Sequence, residues 1–240
     1  MLLKPKISTE SPRLFNGTLL EFLSRTHPSI VAVLYVPLAT FLIWKSVFET
    51  NVGVWTTLGI MPLGMVAWTI TEYWLHRVVM HCIPDFSWGK KLHFWVHEIH
   101  HKWPNDPYRL VMPLPISMAL FVLFFSFFYA TIGMYAWAFH AGFTLAYIMY
   151  DLIHFWLHHG KSDSQIFKLL QKHHLSHHFN PKYEDLHFAI SVPFWDKLFG
   201  TNSPKKSIVN SKELSQTIQV SQSDSSNIRK AGSDDAIRRS

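Results

Sequence analysis

The sequence predicts an all-α integral membrane protein, a four-helix transmembrane bundle with a cytosolic helical cap that holds a histidine-rich dimetal site. Three observations predict it. Apolar runs of spanning length recur four times, charged residues make up only 16% of the chain, and sixteen histidines outnumber ten glycines. Soluble domains carry about a quarter charged residues. At 240 residues there is room for one domain or one small bundle. The single cysteine, Cys82, excludes an intramolecular disulfide and any cysteine-rich zinc or iron–sulfur site.

A bilayer core takes about 20 mostly apolar residues per helix. Four stretches meet this requirement: Ser29 to Phe48, Val54 to Leu75, Val111 to Thr131 and Met134 to Trp156. A soluble helix keeps a polar stripe, whereas the run from Met118 to Ala130 has only Ser126. Residues 1–28 carry Lys4, Lys6, Arg13 and Arg25 without a signal-peptide apolar core, so they read as an uncleaved cytosolic segment before a retained anchor. Residues 29–200 then form the membrane domain. Lys and Arg in short loops stay cytosolic. The turns at Glu49 to Gly53 and at Ile132 to Gly133 have none, while Arg77 to Arg109 and the region after Trp156 are basic. Both termini and the middle loop are therefore expected in the cytosol. Residues 201–240, with ten serines and no aromatic residue, read as a disordered tail. The lysines form no stripe, so no nucleic-acid partner is expected.

Fifteen of the sixteen histidines lie between His76 and His187. Ten have ligand-like spacing: His76 with His81; His97, His100 and His101; His154 with His158; His174, His177 and His178. Positions i, i+3 and i+4 share a helix face, so each triplet aims three imidazoles one way. Each pair sits at the end of an even-numbered span, which would lift the rings roughly 5 to 15 Å above the membrane surface. His158, His174, His177 and His178 follow His81, His97, His100 and His101 by 77 positions, whereas His154 follows His76 by 78. Two pseudo-equivalent halves follow, each a hairpin with a pair and a triplet.

A lone histidine is usually a surface or core residue, the reading given to His27, His140 and His187. Ten clustered imidazoles without metal would be charged together or left with unpaired buried nitrogens, both costly. One metal rarely takes more than six ligands, so two metal ions with open positions are expected. An all-imidazole shell leaves about +4 of formal charge and attracts anionic oxygen species. Imidazole suits iron and zinc equally. Candidates for orienting the rings are Glu72, Asp151, His93, His159 and His173, with Glu98, Asp106 and Asp185 behind them. The segment His97 to His101 also matches the H-E-x-x-H of zinc proteases, with Glu98 as general base. That alternative leaves most of the other histidines unexplained. A non-catalytic zinc-binding membrane protein is a third class.

The pattern H-x4-H, H-x2-H-H, H-x3-H, H-x2-H-H resembles the fatty acid hydroxylase and sterol desaturase superfamily. EYWLHRVVMH at Glu72 to His81, HHKWPNDPYRLVMPLP at His100 to Pro115, YDLIHFWLHHG at Tyr150 to Gly160, and HHLSHHF followed by ISVPFWDKLFGT resemble its sphingolipid fatty acid 2-hydroxylases. The likeness covers about residues 12 to 201. Two departures stand out. Glu98 replaces a usual glycine, and Leu186-His187-Phe188-Ala189 replaces a glycine-rich segment.

The resemblance implies 2-hydroxylation of a fatty acid or ceramide acyl chain at two metals, iron in function with zinc able to fill the site in purified protein. It also implies dioxygen and a separate electron donor, cytochrome b5 with its NAD(P)H reductase or a ferredoxin-like protein, because the first 28 residues are too few for a fused cytochrome b5 domain. A sterol or other lipid oxidase or desaturase of the same superfamily is the alternative. The membrane would be endoplasmic reticulum in a eukaryote and the inner membrane in a bacterium. The acyl chain is expected against Phe155, Trp156, Phe188 and Trp195, with a polar headgroup at Tyr108 and Arg109.

Overall fold

The computed structural model describes residues 11–81, 83 and 85–204. The tail from residue 205, the first ten residues and Cys82 lie outside the described residues. Among those described, every regular element is a helix. A short α1 (Thr18–Leu23) precedes α2 (Pro28–Trp44), where Pro28 presets the first turn and the His27 Nδ1 accepts from the Ser29 N–H at 3.3 Å. Helix α2 runs into a π-helical turn at Lys45–Glu49, and α3 (Gly53–Trp74) into another at Leu75–Met80. Then follow α4 (Ser87–His93), a π turn at Phe94–Glu98 and α5 (Ile99–Lys102). After α6 (Leu114–Ile132) a single 3₁₀ turn leads to α7 (Ala136–His159), and α8 (Gln165–Phe179) and α9 (Phe194–Leu198) complete the chain.

Three helical stretches are long and apolar enough to cross a membrane: Pro28–Glu49, Gly53–Met80 and Leu114–His159. The last has 46 residues and folds back on itself at Gly133, which takes a φ of 58°. Phe128 meets Phe139 at 4.8 Å and Phe125 meets Trp137 at 4.7 Å, so its two arms are an antiparallel hairpin. The third and fourth expected spans fall within this one long stretch, so three candidate spans are found where four were expected. Several boundaries differ from expectation, the fourth stretch among them, which is Ala136–His159 as a helix. The second span continues past Leu75 to Met80, and the third begins at Leu114, because Pro113 keeps an extended ψ of 133° and Val111 is buried in the core ahead of the helix.

Large apolar side chains point outward, with Trp55 83% and Val33 75% exposed, as lipid-facing surface should. The interior is aromatic: Tyr35 of α2 and Trp68 of α3 each meet Tyr147 of α7 at 5.0 Å. The Tyr35 hydroxyl donates to Ser117 Oγ of α6 at 2.9 Å. Helices α3 and α7 touch backbone to backbone. A Cβ at Gly64 would lie 1.9 Å from the Phe139 carbonyl oxygen, and one at Gly142 1.9 Å from that of Met61. Small residues at such crossings replace the hydrophobic drive that lipid removes. Helix α8 starts at Ser164, whose hydroxyl accepts from the Phe167 N–H, and the Gln171 amide donates to the Leu157 carbonyl at 2.8 Å. These contacts set α8 across the end of α7.

Candidate metal centre

The ten histidines converge as two groups of five. His76, His81, His97, His101 and His177 form one; His100, His154, His158, His174 and His178 form the other, and within each group one ring nitrogen per residue lies within 4.8 Å of all the others. In the first, Nε2 atoms approach at 3.0 Å (His97 and His81), 2.9 Å (His101 and His97) and 3.1 Å (His177 and His81). In the second, His174 Nε2 lies 2.8 Å from that of His158 and 3.1 Å from that of His178. The groups abut where His101 stacks on His178 with centroids 4.3 Å apart. Each takes four rings from one half of the chain and one from the other. His100 and His177, at equivalent places in the repeat, are exchanged.

Local structure explains the spacing. Five residues advance an α-helix by about 500°, leaving His81 about 140° away from His76. The π turn at Leu75–Met80 corrects this with a His81 N–H to His76 C=O bond of 3.1 Å, and the two rings lie 5.0 Å apart. In α7, four residues of regular helix bring His154 and His158 to 5.1 Å. The extra residue of the π turn is the slip between 77 and 78 in the repeat. It was visible in the sequence only as that irregularity.

The donor set fits metal ions. His76 Nδ1–H donates to the Phe188 carbonyl at 2.5 Å and His177 Nδ1–H to that of Leu186 at 2.7 Å, so each presents an Nε2 lone pair to the centre of its group. Buried ring nitrogens of His76, His100 and His154 have no hydrogen-bond partner, an expensive arrangement unless a cation accepts them. Burial, reinforced by neighbouring imidazoles, holds His81, His97, His100, His101, His174 and His178 well below the ordinary range and His177 at about 3. The rings are therefore neutral, the form that binds metal. Among the described residues no carboxylate joins either group.

The fatty acid hydroxylase family profile matches residues 61–201. The chain belongs to the fatty acid hydroxylase family. A dihydroceramide fatty acyl 2-hydroxylase of Arabidopsis thaliana is 34% identical over 201 residues, 82% of this chain and 83% of that protein. Fatty acid 2-hydroxylase of Rattus norvegicus is 33% identical across 81% of this chain and 57% of its own length. The ceramide very long chain fatty acid hydroxylase of Saccharomyces cerevisiae is 35% identical across 77% and 48%. A solved structure of full-length Scs7p, only its hydroxylase domain visible, matches with a TM-score of 0.72 at 33% identity, covering 79% of this chain and 71% of that one. Like these relatives the chain is an oxidoreductase and a membrane protein.

Around this hydroxylase centre the expected supporting residues divide. Glu72 does not meet His76. It accepts from the backbone N–H of Ile190 (2.7 Å) and Ser191 (3.0 Å) and from the Ser191 hydroxyl. Asp196, which the sequence reading passed over, is fully buried and accepts from Phe188 N–H, Ala189 N–H, Thr201 Oγ1 and His173 Nε2 at 2.7 to 2.9 Å. Burial alone would raise its pKa; the His173, Thr201 and Ala189 donors outweigh that and lower it. The two carboxylates clamp the segment whose Phe188 carbonyl orients His76. A tryptophan-aspartate pair in the quoted ISVPFWDKLFGT was the available signal.

The other residues singled out in the sequence lie around the two groups. His173 faces Asp196 and stacks on His187 at 3.8 Å, His159 lies against Phe155 at 4.5 Å, and His93 Nδ1 stands 3.6 Å from Glu98, all outside the two groups. Glu98 thus faces His93. Asp106 accepts from the Tyr108 N–H, and Asp185 is exposed. Arg109 is committed to Glu21 (2.7 Å), Pro12 C=O and Ser24 Oγ, which ties the N-terminal segment to the loop and leaves little for a headgroup; Tyr108 lies at 5.7 Å from His27. Trp156 packs on Phe167, and Trp195 donates to Thr69 Oγ1. Of the expected aromatic residues, Phe188 is the one that meets the ten grouped histidines, 5.1 Å from His81. His187 has a φ of 58°, a left-handed conformation natural to glycine and uncommon for other residues. It lies in the segment Leu186-His187-Phe188-Ala189, where the resemblance led to the expectation of glycines. Here Ser176 Oγ and the Asn202 carbonyl hold the ring.

Asp151 is buried with one unpartnered oxygen and lines, with Trp68, Glu72, His76, His100 and His154, a cavity of about 30 Å³ beside both groups.

Proposed function

We propose that this protein is a fatty acyl 2-hydroxylase acting on a fatty acid or on the acyl chain of a ceramide. The observation that carries this reading is the pair of five-histidine groups opening on a cavity in a chain whose named relatives are 2-hydroxylases of such lipids. His76, His81, His97, His101 and His177 would hold one metal ion and His100, His154, His158, His174 and His178 the second, iron in function and zinc in its place in purified protein. When bound, the metals allow dioxygen to be reduced with two external electrons, one oxygen atom entering the C2–H bond and the other leaving as water.

The chain's own residues do the rest. His76 and His177 are locked by carbonyl acceptors in the tautomer that frees Nε2. Phe188 covers the first group and keeps bulk water from it. A C2 carbon beside a headgroup lies at the membrane rim, where the extended ends of α3 and α7 bring the rings. Histidine ligands supply no electrons, so a separate donor is required, cytochrome b5 with its NAD(P)H reductase or a ferredoxin-like protein. The loop charges favour cytosolic termini, in the endoplasmic reticulum of a eukaryote or the inner membrane of a bacterium.

The test is lipid mass spectrometry of cells expressing the chain with a competent reductase, joined to metal analysis of the purified protein. Intact protein should raise 2-hydroxy lipids. His177→Ala should abolish that rise and lower the metal content from two ions towards one. Unchanged 2-hydroxy lipids with intact, metal-loaded protein would refute the assignment.

A further inference from the structure

Helix α8 carries histidines to both groups, His177 to the first and His174 and His178 to the second. Gln165, Lys168 and Leu169 stand nine residues before His174, His177 and His178. Nine residues of α-helix turn through about 900°, two full turns and a half, so these three side chains point away from the ligands. Leu169 is 60% exposed and Ile166 beside it 73%. Lys168 and Lys172 flank Leu169, Lys161 lies in the loop before the helix, and all three lysines are exposed. One acid joins this face, Asp163, whose carboxylate lies 3.1 Å from Lys168 Nζ; three lysines against one carboxylate leave it positive. Further along α8 the outer side is occupied, since Ser176 Oγ meets His187 Nδ1 at 2.7 Å and His173 meets Asp196 at 2.9 Å. Residues 94–102 also feed both groups, but their lysine, Lys102, lies over the Trp103 ring at 4.8 Å.

We propose that the N-terminal half of α8 is the docking face for an acidic electron-carrier protein, with Ile166 and Leu169 making the contact and Lys168 and Lys172 selecting its charge. The inference rests on the 2-hydroxylase reading, which needs two electrons that histidines do not supply. Each encounter oxidises one carrier by one electron. Two encounters, with two protons and dioxygen, account for the product hydroxyl and one water. A helix is about 10–12 Å across with its side chains, so a seated carrier is one helix thickness from ligands of both groups. Electron-transfer partners meet through small interfaces, and rim charges speed their encounter. Two apolar side chains among lysines have that size and character. The ligands on the inner side of α8 meet rings at the ends of the spanning helices α3 and α7, so the outer side faces water and not the bilayer.

The experiment takes the full chain in detergent, with reduced soluble cytochrome b5 and, separately, reduced plant-type ferredoxin as probes, and follows carrier oxidation in the presence of dioxygen and fatty acid. Lys168→Glu combined with Lys172→Glu should raise the carrier concentration needed for half-maximal rate about tenfold at low ionic strength. The rate should recover at saturating carrier, which a damaged metal centre would not allow, and the difference should shrink as salt is added. Lys90→Glu combined with Lys91→Glu, exposed lysines of α4, should change neither quantity. Equal effects of the two pairs, or no effect of the first, overturn the docking face. So does a wild type that raises 2-hydroxy lipids in cells yet oxidises neither carrier. Zero-length carbodiimide crosslinking of wild-type protein to each carrier, mapped by mass spectrometry, reads the contact without activity and without a variant. Lys168 or Lys172 joined to a carrier carboxylate supports the face; links only to other lysines, or none, overturn it. Absence of 2-hydroxy product in cells refutes the hydroxylase function instead, and the crosslinks still decide the docking.

Discussion

Asp196 holds no metal, yet it receives four hydrogen bonds in a fully buried position. An amide there turns an acceptor into a donor facing N–H groups. Asp196→Asn should therefore destabilise the fold by about 1–3 kcal/mol, seen as a lower melting temperature, and should loosen the Phe188 carbonyl that orients His76. Metal content should fall even though all ten histidines remain; full retention would show that the clamp does not act on the site. The histidines themselves impose a pH dependence. Those of the cap have folded pKa values depressed below the unfolded value near 6.5. As pH falls through 6.5 the unfolded chain takes up protons first, so stability is complete above that pH and lost below it, by about 1.4 kcal/mol per pH unit for each such ring. The melting temperature should drop steadily from pH 7 to pH 5. A flat profile over that interval would mean that these rings are not held neutral.

At the level of elements, the π turn at Leu75–Met80 and the regular turn of α7 reach the same ring separation with five and four residues. Deleting Val79, a lipid-exposed residue of that turn, should convert it to α-helix and leave the His pair spaced as in α7. Both metals should be retained, as read by metal analysis; loss of the first metal alone would show that the π geometry is itself required. Where α3 crosses α7 there is no such latitude. Gly142→Leu would drive a side chain into the Met61 carbonyl, and should cost about 1–3 kcal/mol, measurable as earlier unfolding in detergent. Should Gly142→Leu melt with the wild type, the contact between the two backbones would not be a source of stability.

Across the whole molecule, what could be read in the sequence was what depends on periodicity. Apolar length located the helices, and i, i+3, i+4 spacing located the ten rings. What could not be read was set by distant partners. Spacing shows that His100 shares a face with His97 and His101 but not which helix stands opposite, so the exchange of His100 and His177 was hidden. Arg109 looked available because its partner Glu21 lies 88 residues away. Phe155, Trp156 and Trp195 are aromatic residues at the rim, and only their neighbours reveal that they pack on other side chains.

That exchange has a consequence for biosynthesis. The first group lacks a ligand until His177 has emerged from the ribosome, and the second has only His100 until α7 is made and lacks His178 until α8 is complete. Neither centre is complete while the chain is still being inserted. Metal loading is thus a late event, confined to a polypeptide whose last long helix has already been made, and a nascent chain stalled before α8 presents no finished trap for a stray cation.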